Sequence, residues 1–296
     1  MWSEARSALQ RYFGYDDFRP GQREAILSVL RGRDTLVVMP TGGGKSLCFQ
    51  IPALVLPGLT LVVSPLIALM LDQVSALERR GIPAALVNST LSGAEIEERL
   101  SRAVAGELKL LYVAPERFAS PVFRRALREM EIGLVAIDEA HCVCEWGHDF
   151  RPSYLRLREA WPLIGQPLLL ALTATATPEV RRDILAELEL RSARVIVRGF
   201  DRPNLRLSVR REERLTEKSR ALIAELSGRR ETAIVYASTR KSVEAVTELL
   251  RCAGVSAAAY HAGLPRAERA WVQKAWTSGD VPVVVATNAF GKALRH

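Results

Sequence analysis

The 296-residue chain is 48% hydrophobic, which suits about two packed domains and excludes a disordered or fibrous chain. Lys and Arg outnumber Asp and Glu by 41 to 33, a formal charge of +8 that is compatible with a polyanionic partner. No apolar run approaches the roughly eighteen residues a membrane-spanning helix needs, and Met1-Trp2-Ser3-Glu4 is not a basic-then-apolar leader, so a cytoplasmic protein without membrane contact is expected.

Along almost the whole chain, apolar runs alternate with amphipathic stretches, the pattern of parallel strands joined by helices. Thr35 to Met39, Thr60 to Ser64, Ala84 to Val87, Leu108 to Val113, Leu134 to Asp138 and Leu168 to Thr173 read as strands of one doubly wound sheet. Functional loops of such a sheet line its carboxyl edge, where Thr41, Ser64, Pro115, Asp138 and Thr173 fall. The alternation pauses at Gly199-Phe200-Asp201-Arg202-Pro203-Asn204 and the charged run Arg210 to Lys218, which sets a boundary between a first domain, 1–200, and a second, 201–296. Thr232 to Tyr236, Ala257 to Tyr260 and Val281 to Ala286 then read as strands of a second, smaller sheet. The expected class is α/β, with mainly parallel sheets, helices on both faces and an incomplete second unit.

Met39-Pro40-Thr41-Gly42-Gly43-Gly44-Lys45-Ser46 carries the strongest chemical signal. An apolar strand runs into three glycines and a lysine, which aims backbone N–H groups and a helix N-terminus at phosphate oxygens. Leu134-Val135-Ala136-Ile137-Asp138-Glu139-Ala140-His141 is a second apolar strand, ending in adjacent carboxylates. Together they imply an ATPase site. Thr41 to Ser46 would cradle the phosphates with Lys45 against the β- and γ-groups, Ser46 and Asp138 would hold Mg²⁺, and Glu139 would orient and deprotonate water. Cys142 and Cys144 lie between His141 and His148, but one residue between thiols is too tight for a zinc knuckle, so reduced, packed cysteines are expected.

Other segments have two readings each. In Phe13-Gly14-Tyr15-Asp16-Asp17-Phe18-Arg19-Pro20-Gly21-Gln22, Tyr15 can stack on a purine and Gln22 can bond its N6 donor and N7 acceptor; a capped helix with a surface glutamine is the alternative. In Cys142-Val143-Cys144-Glu145-Trp146-Gly147-His148-Asp149-Phe150-Arg151-Pro152, the rings of Trp146 and Phe150 either receive unpaired bases or close a turn over the core, and Arg151 can meet a phosphate or a carboxylate. Ser64-Pro65-Leu66 and Asn88-Ser89-Thr90 offer small polar groups to a sugar-phosphate backbone. In Ala171-Leu172-Thr173-Ala174-Thr175-Ala176-Thr177 the hydroxyls before Pro178 can cap a helix, as is expected of Thr177.

With these motifs in view, the chain from about Leu9 to Ala289 resembles the RecQ-type DNA helicases, DEAH-box proteins of superfamily two. The threonine-glycine-glycine-glycine-lysine-serine loop, with Met39 in place of a first glycine, is typical of that superfamily. The resemblance implies two RecA-like domains, the first for ATP, and an ATP-dependent 3′-to-5′ helicase that moves on single-stranded DNA and opens duplexes in recombination and repair. Tyr15, Arg19 and Gln22 would read adenine, and Lys45, Asp138, Glu139 and His141 would serve hydrolysis. Trp146, His148, Phe150 and Arg151 would meet DNA. So would Ser238 and Arg240 in Val235-Tyr236-Ala237-Ser238-Thr239-Arg240-Lys241, and Thr287 in Val285-Ala286-Thr287-Asn288-Ala289-Phe290-Gly291. Tyr260-His261-Ala262-Gly263-Leu264 matches the loop between them, with His261 a surface or hydrogen-bonded residue and not a base. ATP and Mg²⁺ are the implied cofactors, and single-stranded and branched DNA the implied partners.

The family's arginine-bearing motif VI is not found in these 296 residues, because Lys292-Ala293-Leu294-Arg295-His296 follows the last strand motif. Cleft closure and fast hydrolysis are therefore expected to be impaired, with a catalytically weak ATP- and nucleic-acid-binding module as the alternative. Replacing Trp146 by Ala should cost DNA-stimulated ATP turnover and about 1–3 kcal/mol of DNA affinity if one base stacks there. Equal stimulation of variant and parent by a single-stranded oligonucleotide would return Trp146 to the core.

Overall fold

The computed structural model describes residues 1–144, 151–190, 192–199, 205–228 and 231–290. They form two compact units, Met1–Asn204 and Leu205–His296, each built around its own parallel sheet. Among the described residues no helix is long and apolar enough to cross a membrane.

The first unit begins with α1 (Trp2–Ala8) and α2 (Pro20–Leu30). Strand and helix then alternate through β1 (Thr35–Val38), α3 (Leu47–Val55), β2 (Leu59–Val63), α4 (Ile67–Arg79), β3 (Ala84–Val87), α5 (Gly93–Val104) and β4 (Leu110–Val113). The series continues with α6 (Pro121–Glu129), β5 (Ile132–Ile137), α7 (Pro152–Leu155), β6 (Leu168–Thr173), α8 (Pro178–Glu187) and β7 (Arg194–Val197). Its seven strands lie in the order β3-β4-β2-β5-β6-β1-β7, with every pairing parallel.

A parallel sheet covered by helices on both faces needs apolar side chains on both, so its central strands read as unbroken apolar runs. Leu36, Val63 and Ile137 meet Phe123 and Leu127 of α6 and Ile184 of α8 on one face. Val37, Val62 and Ala136 meet Val29 of α2, Phe49 of α3 and Val74 of α4 on the other. The six strands expected in this unit all appear; β1 and β4 are one and two residues shorter than the apolar runs that announced them, and β5 starts two residues earlier.

β7 was not expected. It pairs with β1 at the sheet's edge, and of its four residues only Ile196 is buried, so it lacks the apolar run that marks an interior strand. The opposite edge, β3, is protected differently. Its outward Leu86 carbonyl accepts a 2.7 Å hydrogen bond from Arg99 Nη1 of α5. An exposed edge carbonyl is a template for another strand, and a charged donor placed on it blunts that hazard.

The second unit contains α9 (Leu215–Leu226), β8 (Ala233–Tyr236), α10 (Arg240–Cys252), β9 (Ala257–Tyr260), α11 (Arg266–Ser278) and β10 (Val283–Ala286). Its small sheet has the order β8-β10-β9. Val243 and Leu250 of α10 cover one face and Val272 of α11 the other. Some apolar groups of this unit stay in solvent: Leu207 is 92% exposed and Val209 97% in the irregular segment before α9, and Trp271 on α11 57%.

Arg99→Ala should lower stability by about 1–2 kcal/mol, the worth of a partly screened charge-assisted hydrogen bond, and increase aggregation on concentration. An unchanged urea midpoint and unchanged light scattering would show that this contact does not guard the edge.

Candidate nucleotide and nucleic-acid site

The glycine loop leaves β1 and turns into α3 at the carboxyl edge of the first sheet. Gly42 and Gly44 have φ of +80° and +76°, left-handed values that cost a side chain strain, so glycine makes the turn possible. Ser46 caps α3, yet its hydroxyl makes no capping bond and can serve another partner. Thr41 is exposed at the tip of the loop. Lys45 curls back so that Nζ donates to the Met39 carbonyl at 3.0 Å, which keeps the ammonium over the loop.

The segment before α2 clasps this loop. Gln22 Oε1 accepts from the Arg19 N–H at 3.0 Å, and its Nε2 donates to the Gly44 carbonyl at 3.0 Å. Arg19 Nη1 donates to the Gly42 carbonyl at 2.7 Å. Gln22 is only 3% exposed, so the surface glutamine of the bland reading is not found. Both ends of its amide are held by backbone, so engaging a purine edge requires these bonds to exchange. Tyr15 is 57% exposed and free of such ties, with its ring open to stacking.

Asp138 follows β5, its N–H bonded to the Val63 carbonyl at 2.8 Å. It is 8% exposed. Burial, and then the neighbouring charge of Glu139, push its carboxyl up to about 7, against the opposing pull of the Glu139 N–H and of Lys45. A buried carboxylate beside a second one is a hard-oxygen donor set in want of positive charge, so Ser46 and Asp138 could hold a divalent cation. Glu139 has φ +48°, uncommon for a residue with a side chain. Its N–H donates to Asp138 Oδ1 at 3.0 Å, while the Asp138 carbonyl accepts from the buried Tyr154 hydroxyl at 2.9 Å.

His141 joins this turn to β6. Its Nδ1 lies 2.9 Å from Thr173 Oγ1 and 3.4 Å from Glu139 Oε2. Because Thr173 Oγ1 donates to the Thr175 carbonyl at 3.1 Å, it accepts from His141, which places the imidazole proton on Nδ1. Thr177, as expected, caps α8 by accepting from the Val180 N–H at 3.3 Å.

On the same edge, Ser64 and Asn88 follow β2 and β3 at equivalent register and are almost fully buried. Among the described residues Ser64 Oγ and Asn88 Nδ2 have no hydrogen-bond partner, and a buried polar atom left so is a costly arrangement that a ligand oxygen would relieve. Arg151 donates from Nη1 to the Pro65 carbonyl at 3.2 Å, so its guanidinium reaches backbone at the exit of β2. Trp146, His148 and Phe150 lie outside the described residues. Cys142 and Cys144 are buried thiols, with Cys144 Sγ donating to the Val180 carbonyl at 3.7 Å.

In the second unit, Ser238 and Arg240 follow β8 and Thr287 follows β10. Thr239 caps α10 by accepting from the Ser242 N–H at 3.1 Å. His261 is buried and not on the surface; Nδ1 accepts from the Gly263 N–H at 3.2 Å, and Nε2 lies 3.3 Å from Glu244 Oε1 without the alignment of a hydrogen bond. Arg240 reaches the same loop, since a Cβ on Gly263 would meet its Nη1 at 3.1 Å. Tyr154, which the sequence does not distinguish from an ordinary core tyrosine, was missed, and so was the contact by which Arg19 reaches the Gly42 carbonyl, since the sequence offered Arg19 only as an adenine reader.

The two left-handed glycines make different demands. A Cβ on Gly42 would meet open space, whereas one on Gly44 would overlap Gln22 Nε2. Gly42→Ala should therefore cost about 1–2 kcal/mol of backbone strain and Gly44→Ala about 2–4 kcal/mol, part of it recovered when Gln22→Ala is added. Equal urea midpoints for the two single variants would show that Gln22 does not brace the loop.

Residues 19–184 match the DEAD/DEAH box helicase family and residues 217–295 the helicase conserved C-terminal domain. The chain is 46% identical over 297 residues to the ATP-dependent DNA helicase RecQ of Bacillus subtilis (strain 168), covering 99% of this chain and 50% of that one. It is 45% identical to the ATP-dependent DNA helicase RecQ of Pasteurella multocida (strain Pm70), covering 98% and 46%. It thus spans about half the length of these relatives. In fold it is similar to the helicase MrfA in a DNA-bound crystal structure, with a TM-score of 0.72 at 20% identity, over 97% of this chain and 42% of that one. The helicase Lhr of Mycobacterium smegmatis gives a TM-score of 0.59 at 21% identity, over 94% and 40%. A RecA-like glycine loop, an Asp-Glu-Ala-His turn and family matches over both units have one reading: the chain belongs to the DEAD/DEAH box helicases and is of the RecQ type.

Proposed function

We propose that this chain is the motor part of an ATP-dependent 3′-to-5′ DNA helicase that couples hydrolysis to movement along single-stranded DNA and to opening of branched or duplex DNA in recombination and repair. One observation carries the reading: the glycine loop with Lys45 and the Asp138-Glu139 turn meet at one sheet edge, and His141 ties that turn to Thr173. Phosphoryl transfer asks a protein mainly for positioning and charge.

Gly42 to Gly44 present backbone N–H groups to the phosphates, and Lys45 releases the Met39 carbonyl to meet the terminal ones. Tyr15 stacks on adenine while Arg19 and Gln22 exchange their loop contacts for the nucleotide. Ser46 and Asp138 hold Mg²⁺, which supplies positive charge against the phosphate oxygens. Glu139 orients the attacking water and accepts its proton, and His141 steadies Glu139 against Thr173.

DNA lies along the strand-end loops. The unpartnered Ser64 and Asn88 groups suit backbone oxygens, and Trp146, His148, Phe150 and Arg151 belong to the loop that would receive bases. Ser238, Arg240 and Thr287 are the corresponding contacts of the second unit. Such contacts position a strand without reading its sequence, as a motor that moves along any DNA requires.

Lys45→Ala should reduce ATP turnover on the order of a hundredfold or more and leave single-strand binding largely intact, because phosphate and DNA contacts come from different residues. A phosphate-release assay with and without oligonucleotide, paired with a DNA titration, checks both halves. Undiminished turnover in the variant would remove Lys45 from the site.

A further inference from the structure

We infer that Tyr154 is a positioning residue for hydrolysis: its hydroxyl pins the peptide between Asp138 and Glu139 and, through Arg151, ties that peptide to the exit of β2. The inference rests on the nucleotide site proposed above and adds a residue to it.

The peptide joining the two carboxylates has both polar ends committed. Its N–H donates to Asp138 Oδ1 at 3.0 Å, and its carbonyl accepts from Tyr154 at 2.9 Å. Glu139, on the far side of that peptide, sits at φ +48°, a conformation that a residue with a side chain keeps only when its surroundings insist. Rotation of this one peptide would carry the Glu139 carboxylate away from His141, which it now approaches to 3.4 Å. The Asp138 carbonyl is the handle by which such a rotation is prevented, and the Tyr154 hydroxyl holds it.

Packing alone does not call for that hydroxyl. The Tyr154 ring is 1% exposed within the main apolar cluster of the first unit, a place that phenylalanine would fill equally well. A buried hydroxyl is costly without a partner, and the partner here is the carbonyl next to the proposed water-activating residue. Burial and nearby negative groups hold the phenol well above its ordinary range, so it remains a donor at any pH where the protein works.

Tyr154 is itself anchored. Its N–H donates to the Arg151 carbonyl at 2.9 Å, the Arg151 N–H donates to the Cys142 carbonyl at 3.0 Å, and Arg151 Nη1 reaches the Pro65 carbonyl at 3.2 Å. Pro65 stands between Ser64 and Leu66, in the segment whose orphaned serine hydroxyl suits a DNA phosphate. A displacement of that segment therefore reaches Glu139 through the Arg151 and Tyr154 side chains, their hydrogen bonds and the short backbone between them.

The test is Tyr154→Phe in the 296-residue chain, which removes one oxygen and keeps the ring. Single-turnover hydrolysis with a single-stranded oligonucleotide should slow about tenfold, the equivalent of one buried hydrogen bond, while the affinities for a non-hydrolysable ATP analogue and for DNA stay within about twofold. Amide hydrogen exchange at residues 139–142 should accelerate by a similar factor with the rest of the first sheet unchanged. Unaltered hydrolysis and exchange would overturn the inference, as would a uniform rise in exchange matched by a fall in Tm, which would make Tyr154 an ordinary core residue. Should the parent chain itself fail to hydrolyse ATP, the proposed function fails at that point, and the exchange comparison still decides whether Tyr154 holds the peptide.

Discussion

Two carboxylates on consecutive residues, one of them almost wholly buried, concentrate negative charge at the end of β5, and much of the surrounding structure answers to it. Asp138 cannot ionise comfortably where it stands without a positive neighbour, and Lys45 is the one the fold brings from β1. The sheet order places β6 between those strands, so the glycine loop and the carboxylate turn flank a common space at the carboxyl edge. In the proposed site a phosphate-bound divalent ion would complete that balance of charge. The same turn holds Glu139 in a left-handed conformation, and its hydrogen bonds to Asp138 and Tyr154 explain how the strain is kept.

The glycine loop is subject to the complementary constraint. Loops that lend N–H groups to a ligand also carry carbonyls, and here those of Met39, Gly42 and Gly44 accept from Lys45, Arg19 and Gln22. In the proposed site these contacts keep the loop ordered and would have to exchange partners when a nucleotide binds. The Gln22 amide bridges the cap of α2 and the loop, so the segment proposed to read the base and the one proposed to hold phosphates are tied directly together.

How much of this was legible in the residues depends on where each one lies. β1 to β6 announced themselves because both faces of an interior parallel strand are buried, which forces continuous apolar runs. β7 did not, since an edge strand with one buried residue leaves no such trace. Thr177 was readable as a cap because capping is local, whereas the burial of His261 and Gln22 depends on chain segments far away in sequence. Tyr154 gave no sign at all: its hydroxyl matters only because α7 folds back across sixteen residues to one carbonyl.

Sequence by itself determined the chemistry on offer, namely which residues can carry phosphate, cation and base, and the alternation that builds parallel sheets, because composition and local periodicity act over a few residues. Tertiary structure alone decided which of those groups touch: that Gln22 braces Gly44, that His141 bonds Thr173 with Glu139 beside it, and that Arg99 closes an edge. Hydrogen bonds work over about 3 Å and depend on direction, so only the folded chain fixes their partners.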